Sequence, residues 1–212
     1  MKRVVIGAHL RREDIEPLAE AIPVRDLFLS GIGVNDDQPL GDRELLLRVA
    51  QTRARLLDRA TFIAIRYGLA VTNDAESKCG EHAARWHAVL EANRDNVEMT
   101  LKVAAATSVA RPNRKDFTSG TAYLKALHDA TRAATIDPAF RDEVDRTLVP
   151  LTVAHRWIPR DNASLECAAL VARAKLDEIA SVGEAIKRAC PNVPFLLSGP
   201  WPLEVFADAD HE

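Results

Sequence analysis

Cys79, Gly80, Glu81 and His82 stand together, with His87 close behind, and form the most metal-like cluster in the chain. Structural zinc sites use Cys and His at such close spacing, but they need four ligands. No second Cys or His pair completes a set, and Cys79 falls on an apolar helical stripe with Trp86. The cluster therefore reads as a buried thiol beside surface histidines, and no metal is expected.

Nucleophilic catalysis needs a nucleophile, a base and an orienting group. The six histidines (His9, His82, His87, His128, His155 and His211) are scattered, and no GxSxG turn is present. The glycine-containing stretches SGIG at 30–33 and SGP at 198–200 match neither phosphate-binding pattern, and neither opens an apolar helix. Asp36-Asp37 has the chemistry to hold a cation, but an acidic turn is ordinarily just solvated. No two carboxylates are spaced for acid–base work. The expectation is a protein with no catalytic residues and no cofactor. Arg66 ends the apolar run TFIAI. Either it is buried against a carboxylate, or it sits at the strand end with its head in water, which is the commoner fate of an arginine.

Composition narrows the partners. The chain has 212 residues, 47% hydrophobic and 28% charged, which is enough to bury a core and too apolar for disorder. The net charge of -3 and aromatic content of 5% argue against nucleic acid as a partner. No stretch is long and apolar enough to span a bilayer, and residues 1–10 lack the pattern of a signal peptide. Three cysteines at unrelated spacings (Cys79, Cys167 and Cys190) suit a reducing compartment, so a cytoplasmic protein without membrane contact is expected.

The elements around these residues follow from periodicity. RVVIGAHL predicts a strand, Asp14–Ala21 a short helix, and 24–34 a second strand bent at Gly31 and Gly33. Leu45, Leu46, Val49, Leu56, Leu57 and Ala60 recur at helical spacing. TFIAIRY at 61–67 predicts a strand, and a helix follows from about Asp74 to Asn93 with Cys79, Ala83, Trp86 and Leu90 inward. The polar NRDN at 93–96 marks a domain boundary. Beyond it lie a period-2 strand at 97–103, a helical region from 119 to 149 broken at Asp137-Pro138, strands at 151–158 and 165–171, a helix at 175–190 and a last strand at 193–197. The fold class expected is α+β with two small α/β-type domains. The first, residues 1–94, alternates strand and helix. The second, residues 95–212, reads βαββαβ with a C-terminal tail, which is the ferredoxin-like order.

Four stretches, in this order, resemble the gas vesicle protein F/L family. FIAIRYGLAVTNDAE at 62–76 resembles that family's apolar strand ending in Arg-aromatic-Gly, here Arg66, Tyr67 and Gly68. NVEMTLKV at 96–103 resembles its central strand, in which Glu98 follows a valine. SGTAYL at 119–124 resembles its helix start, with Ser119, Gly120 and Tyr123. SGPWPLEVF at 198–206 resembles its C-terminal signature through Gly199, Pro200, Trp201, Pro202 and Phe206. Leu203, Glu204, Val205 and Ala64 depart from the pattern.

The resemblance implies a non-enzymatic accessory or minor structural protein of gas vesicles, which contacts the hydrophobic shell protein and other accessory proteins. It implies two α+β domains, the second ferredoxin-like, with these motif residues structural or partner-binding. The alternative from another class is a small-molecule sensor or enzyme on a ferredoxin-like scaffold, since that fold hosts many functions. Pro200 and Pro202 lack N–H groups, so strand pairing is expected to stop there and to leave Trp201 rigidly aimed. Its indole is expected to be buried.

Overall fold

The computed structural model describes residues 2–104, 112–132, 137–160 and 164–207. They are mixed α/β, built on two sheets, and divide into two units. The first unit takes the chain up to Glu98 and again from Trp201; the second runs from Met99 to Pro200. The sequence places a boundary at 94/95 and assigns everything after it to one domain. The units differ from that division in returning the last segment to the first unit, where the backbone of Leu203 is bonded.

The first unit opens with β1 (Lys2–His9), β2 (Glu20–Val24) and β3 (Leu27–Val34). There follow α1 (Arg43–Arg59), β4 (Ile63–Ala64), β5 (Ala70–Val71) and α2 (Ala75–Ala92). The strand order is β2-β3-β1-β4, with β5 also against β1, and these pairings are all antiparallel. The expected strand–helix alternation is thus replaced by three antiparallel strands before the first helix, with β3 between β2 and β1. Pro17 interrupts the stretch expected to be helical, and only a single 3-10 turn forms at Arg12–Asp14. β2 and β3 are joined by Arg25-Asp26, with Arg25 at a φ of 50°. Two-residue hairpins usually announce themselves with Asn-Gly or Asp-Gly. Here an arginine holds the turn, and its Nε donates to Glu76 Oε1 at 3.0 Å.

Both long helices lie where periodicity puts them. Asp42 caps α1 by accepting from the Leu45 N–H at 2.9 Å, and Leu45, Val49, Leu56 and Leu57 are buried. Arginines on its flanks tie it to neighbouring backbone: Arg48 donates to Gly33 O, Arg53 to Ile65 O and Arg59 to Glu13 O. On α2, Cys79, Ala83 and Leu90 are buried, while Trp86 is half-buried and tilted against His82. Cys79 sits on the buried stripe, where burial raises its thiol pKa.

The second unit contains most of β6 (Asn96–Ala104), then α3 (Gly120–Arg132), α4 (Pro138–Thr147), β7 (Thr152–Arg160), β8 (Ser164–Ala172), α5 (Leu176–Ala189) and β9 (Phe195–Trp201). The four strands make one sheet in the order β7-β8-β6-β9. The strand at 97–103 and the last strand are therefore neighbours. Met99, Leu101 and Val103 of β6 share a core with Cys167, Ala169 and Val171 of β8, with Phe140, Val144 and Leu148 at and after α4, and with Ile179, Val182 and Ile186 of α5. Two helices thus cover one face. Pro138 starts α4, and Asp137 caps it. β9 differs from expectation in length: it continues through Pro200 to Trp201. Proline is tolerated there because β9 is an edge strand.

Candidate functional site

Glu98 is the most unusual side chain of the first unit. Its place in the alternating run VEMTLKV predicts an outward carboxylate, yet it is only 3% exposed. Val97 and Met99 on either side are buried as well, so both faces of the strand are covered at this point. A buried carboxylate needs hydrogen-bond donors. Glu98 has three in a row: the N–H groups of Glu204 at 2.8 Å, Val205 at 3.1 Å and Phe206 at 2.7 Å. Successive N–H groups at the start of a turn form an anion site, and the protein fills this one with its own side chain. Burial pushes the Glu98 carboxyl above its ordinary range, and the three donors pull it back only in part.

The residues just before that turn are bound to β4. The Leu203 N–H donates to Phe62 O at 2.9 Å, and the Ala64 N–H donates to Leu203 O at 2.9 Å. Leu203 is fully buried, and Pro202 is buried beside it. These contacts correct the expectation for Trp201, which is 48% exposed. The buried place in the segment goes to Leu203, whose backbone is fixed on both sides, and the indole is left at the surface.

β4 leads into the Arg-aromatic-Gly stretch. Arg66 is exposed, which resolves its two readings in favour of a head in water. The Tyr67 hydroxyl donates to Leu40 O, tying the 35–42 loop to the strand end. Gly68 has a φ of 110°, a conformation that side chains rarely adopt. Behind β4, Phe62 stacks on His9 with ring centroids 4.8 Å apart. The approach is close enough that a Cβ on Gly7 would lie 2.4 Å from Phe62 Cδ2. Ser30 Oγ lies 3.3 Å from Gly7 O, to which it donates, and 3.0 Å from His9 Nε2. Burial lowers the His9 pKa to about 3.

The sequence model for the family described as gas vesicle synthesis protein GvpL/GvpF matches residues 19–207. The chain belongs to this family. The fold agrees. The crystal structure of the gas vesicle protein GvpF from Anabaena sp. PCC7120 superposes with a TM-score of 0.68 at 11% identity, covering 100% of this chain and 98% of that one. GvpF from Microcystis aeruginosa gives 0.68 at 10% identity, with coverage of 98% and 99%. No curated protein sequence matches the chain significantly.

Of the residues that carry the GvpL/GvpF resemblance, the structure brings Glu98 and Phe206 into contact and sets Trp201 and Pro202 on the same bound segment. Arg66, Tyr67 and Gly68 follow the strand to which that segment pairs. Ser119, Gly120 and Tyr123 belong to the second unit and do other work. The Ser119 hydroxyl accepts from the Ala122 N–H at 3.1 Å and caps α3. Tyr123 lies edge-on to Phe117 and beneath the guanidinium of Arg114. Gly120 is exposed, and a Cβ there would meet nothing. Gly199, with a φ of 129°, and Pro200 end the second unit's share of β9. Sequence reasoning misses Leu203, His9 and Ser30. The apolar Leu203 between Pro202 and Glu204 is a faint signal; nothing marks the His9–Ser30 pair. Among the described residues, no three His, Cys, Asp or Glu side chains gather as a metal site, and no helix is long and apolar enough to cross a membrane.

Proposed function

We propose that this chain is an accessory or minor structural protein of gas vesicle formation, acting through contacts with the vesicle shell protein and other accessory proteins and not through catalysis. The observation that carries this reading is the GvpL/GvpF family match over residues 19–207. The geometry supports a protein-contact role. Glu98, Tyr67 and Ser119 spend their polar groups on internal backbone, which makes them scaffold. Trp201 is the motif residue that offers a large apolar surface to solvent, and Trp is a frequent interface anchor. We further propose that residues from β6 to β9 form a ferredoxin-like domain. The order β7-β8-β6-β9, with helices between β6 and β7 and between β8 and β9, supports that plan. On this reading the protein works at the gas vesicle.

The test is one variant read in two ways. Trp201→Ala removes a half-exposed ring, so its melting temperature stays close to that of the parent chain. In a pull-down against shell protein it loses most of the binding. Equal capture of shell protein by parent and variant would remove Trp201 from the contact. No capture of shell or accessory proteins by the parent chain would remove the contact role itself.

A further inference from the structure

The rims of the two sheets are protected unequally. An edge strand displays unpaired N–H and C=O groups, and proteins blunt such edges with charge, proline, short strands or cover. In the first unit β2 carries Glu20 and Pro23, β5 has two residues, and β4 is covered by the Leu203 segment. In the second unit β7 carries Arg156, Pro159 and Arg160. β9 is the exception. Among the described residues β6 is its one strand neighbour, and Phe195–Gly199 contains neither a charge nor a proline. Leu196 on this strand is 59% exposed.

We propose that β9 pairs antiparallel with β9 of a second copy of this chain, over Phe195–Gly199 and across a two-fold axis. An uncharged edge meets itself without like charges opposing each other, which a charged edge such as β7 cannot do. Pro194 and Pro200 bracket the open stretch, and neither has an N–H to extend a ladder. The stretch is symmetric about Leu197, so pairing centred there sets each Leu196 beside Ser198 of the second copy. Phe195 and Leu197 already pack against their own core, leaving Leu196 as the apolar contact. Such an interface uses the same patch on both copies and consumes it, so it closes at two chains and does not grow into a fibre. A ladder this short makes a weak, concentration-dependent dimer.

Sedimentation equilibrium on the full chain, extended to hundreds of micromolar, tests this. The expected result is a monomer–dimer equilibrium whose dissociation constant rises by roughly tenfold or more in Leu196→Lys. Val153→Lys, at an equally exposed site on β7, leaves it unchanged. A monomer at every concentration overturns the proposal, as does a dimer that ignores Leu196→Lys or yields to Val153→Lys. A monomer whose capture of shell protein fails on Leu196→Lys also overturns it, and assigns the edge to a strand from another protein. The dimer stands or falls independently of the vesicle reading.

Discussion

The N–H of Phe206 donates to Glu98 Oε1 at 2.7 Å, across 108 residues of sequence. With the neighbouring bonds from Glu204 and Val205, this gives the C-terminal segment its place in the first unit. Phe206 is thus held through its backbone, and its side chain is only half-buried.

Glu98→Ala should therefore cost about 2–4 kcal/mol, the range for removing a buried charged acceptor that serves several donors, offset by relief of its desolvation. Glu98→Gln should cost less, because the amide oxygen still accepts. Urea unfolding of the two variants beside the parent chain measures the difference. Equal stability of all three would mean that the carboxylate does not hold the segment.

How far the sequence leads depends on how local the cause is. α1 and α2 are legible because their apolar stripes and the Asp42 cap lie within the helices themselves. The β2–β3 hairpin is not, because Arg25 occupies a left-handed turn and its partner Glu76 lies far away on α2. Glu98 is misread for the same reason. Its alternation with Thr100 and Lys102 is local, but the donors that let it be buried begin 106 residues later. Of the candidate site, the family resemblance locates the stretches; that Leu203 and not Trp201 fills the core follows only from pairing with β4.

His9 should make stability depend on acid. Its folded pKa, about 3, lies below the ordinary 6.5, so the unfolded chain takes up the proton first. The contribution of the neutral ring is full above pH 6.5 and is lost as pH falls from there toward 3. The slope reaches about 1.4 kcal/mol per pH unit. Urea unfolding at several pH values, with His9→Gln as reference, isolates this from other groups. Parallel profiles for parent and variant would reject a buried neutral His9.

Gly68 and Gly120 look alike as motif glycines but should respond oppositely. Gly68→Ala places a side chain at a φ of 110° and should cost about 1–3 kcal/mol. Gly120→Ala, with open space around it at the start of α3, should be neutral or stabilising by up to about 1 kcal/mol. Thermal melts of both variants check the contrast.

The first unit is assembled from two stretches of chain separated by the whole of the second. On the ribosome its sheet emerges early, but the strip that covers β4 and satisfies Glu98 is made after roughly a hundred further residues. At translation rates of ~5–20 residues per second the gap lasts on the order of ten seconds. Throughout that interval the Phe62–Ala64 backbone edge and a carboxylate destined for burial stand open, while the second unit already has all of its sequence before the last seven described residues appear. Of the two units, the one whose synthesis begins earlier is therefore the one completed later.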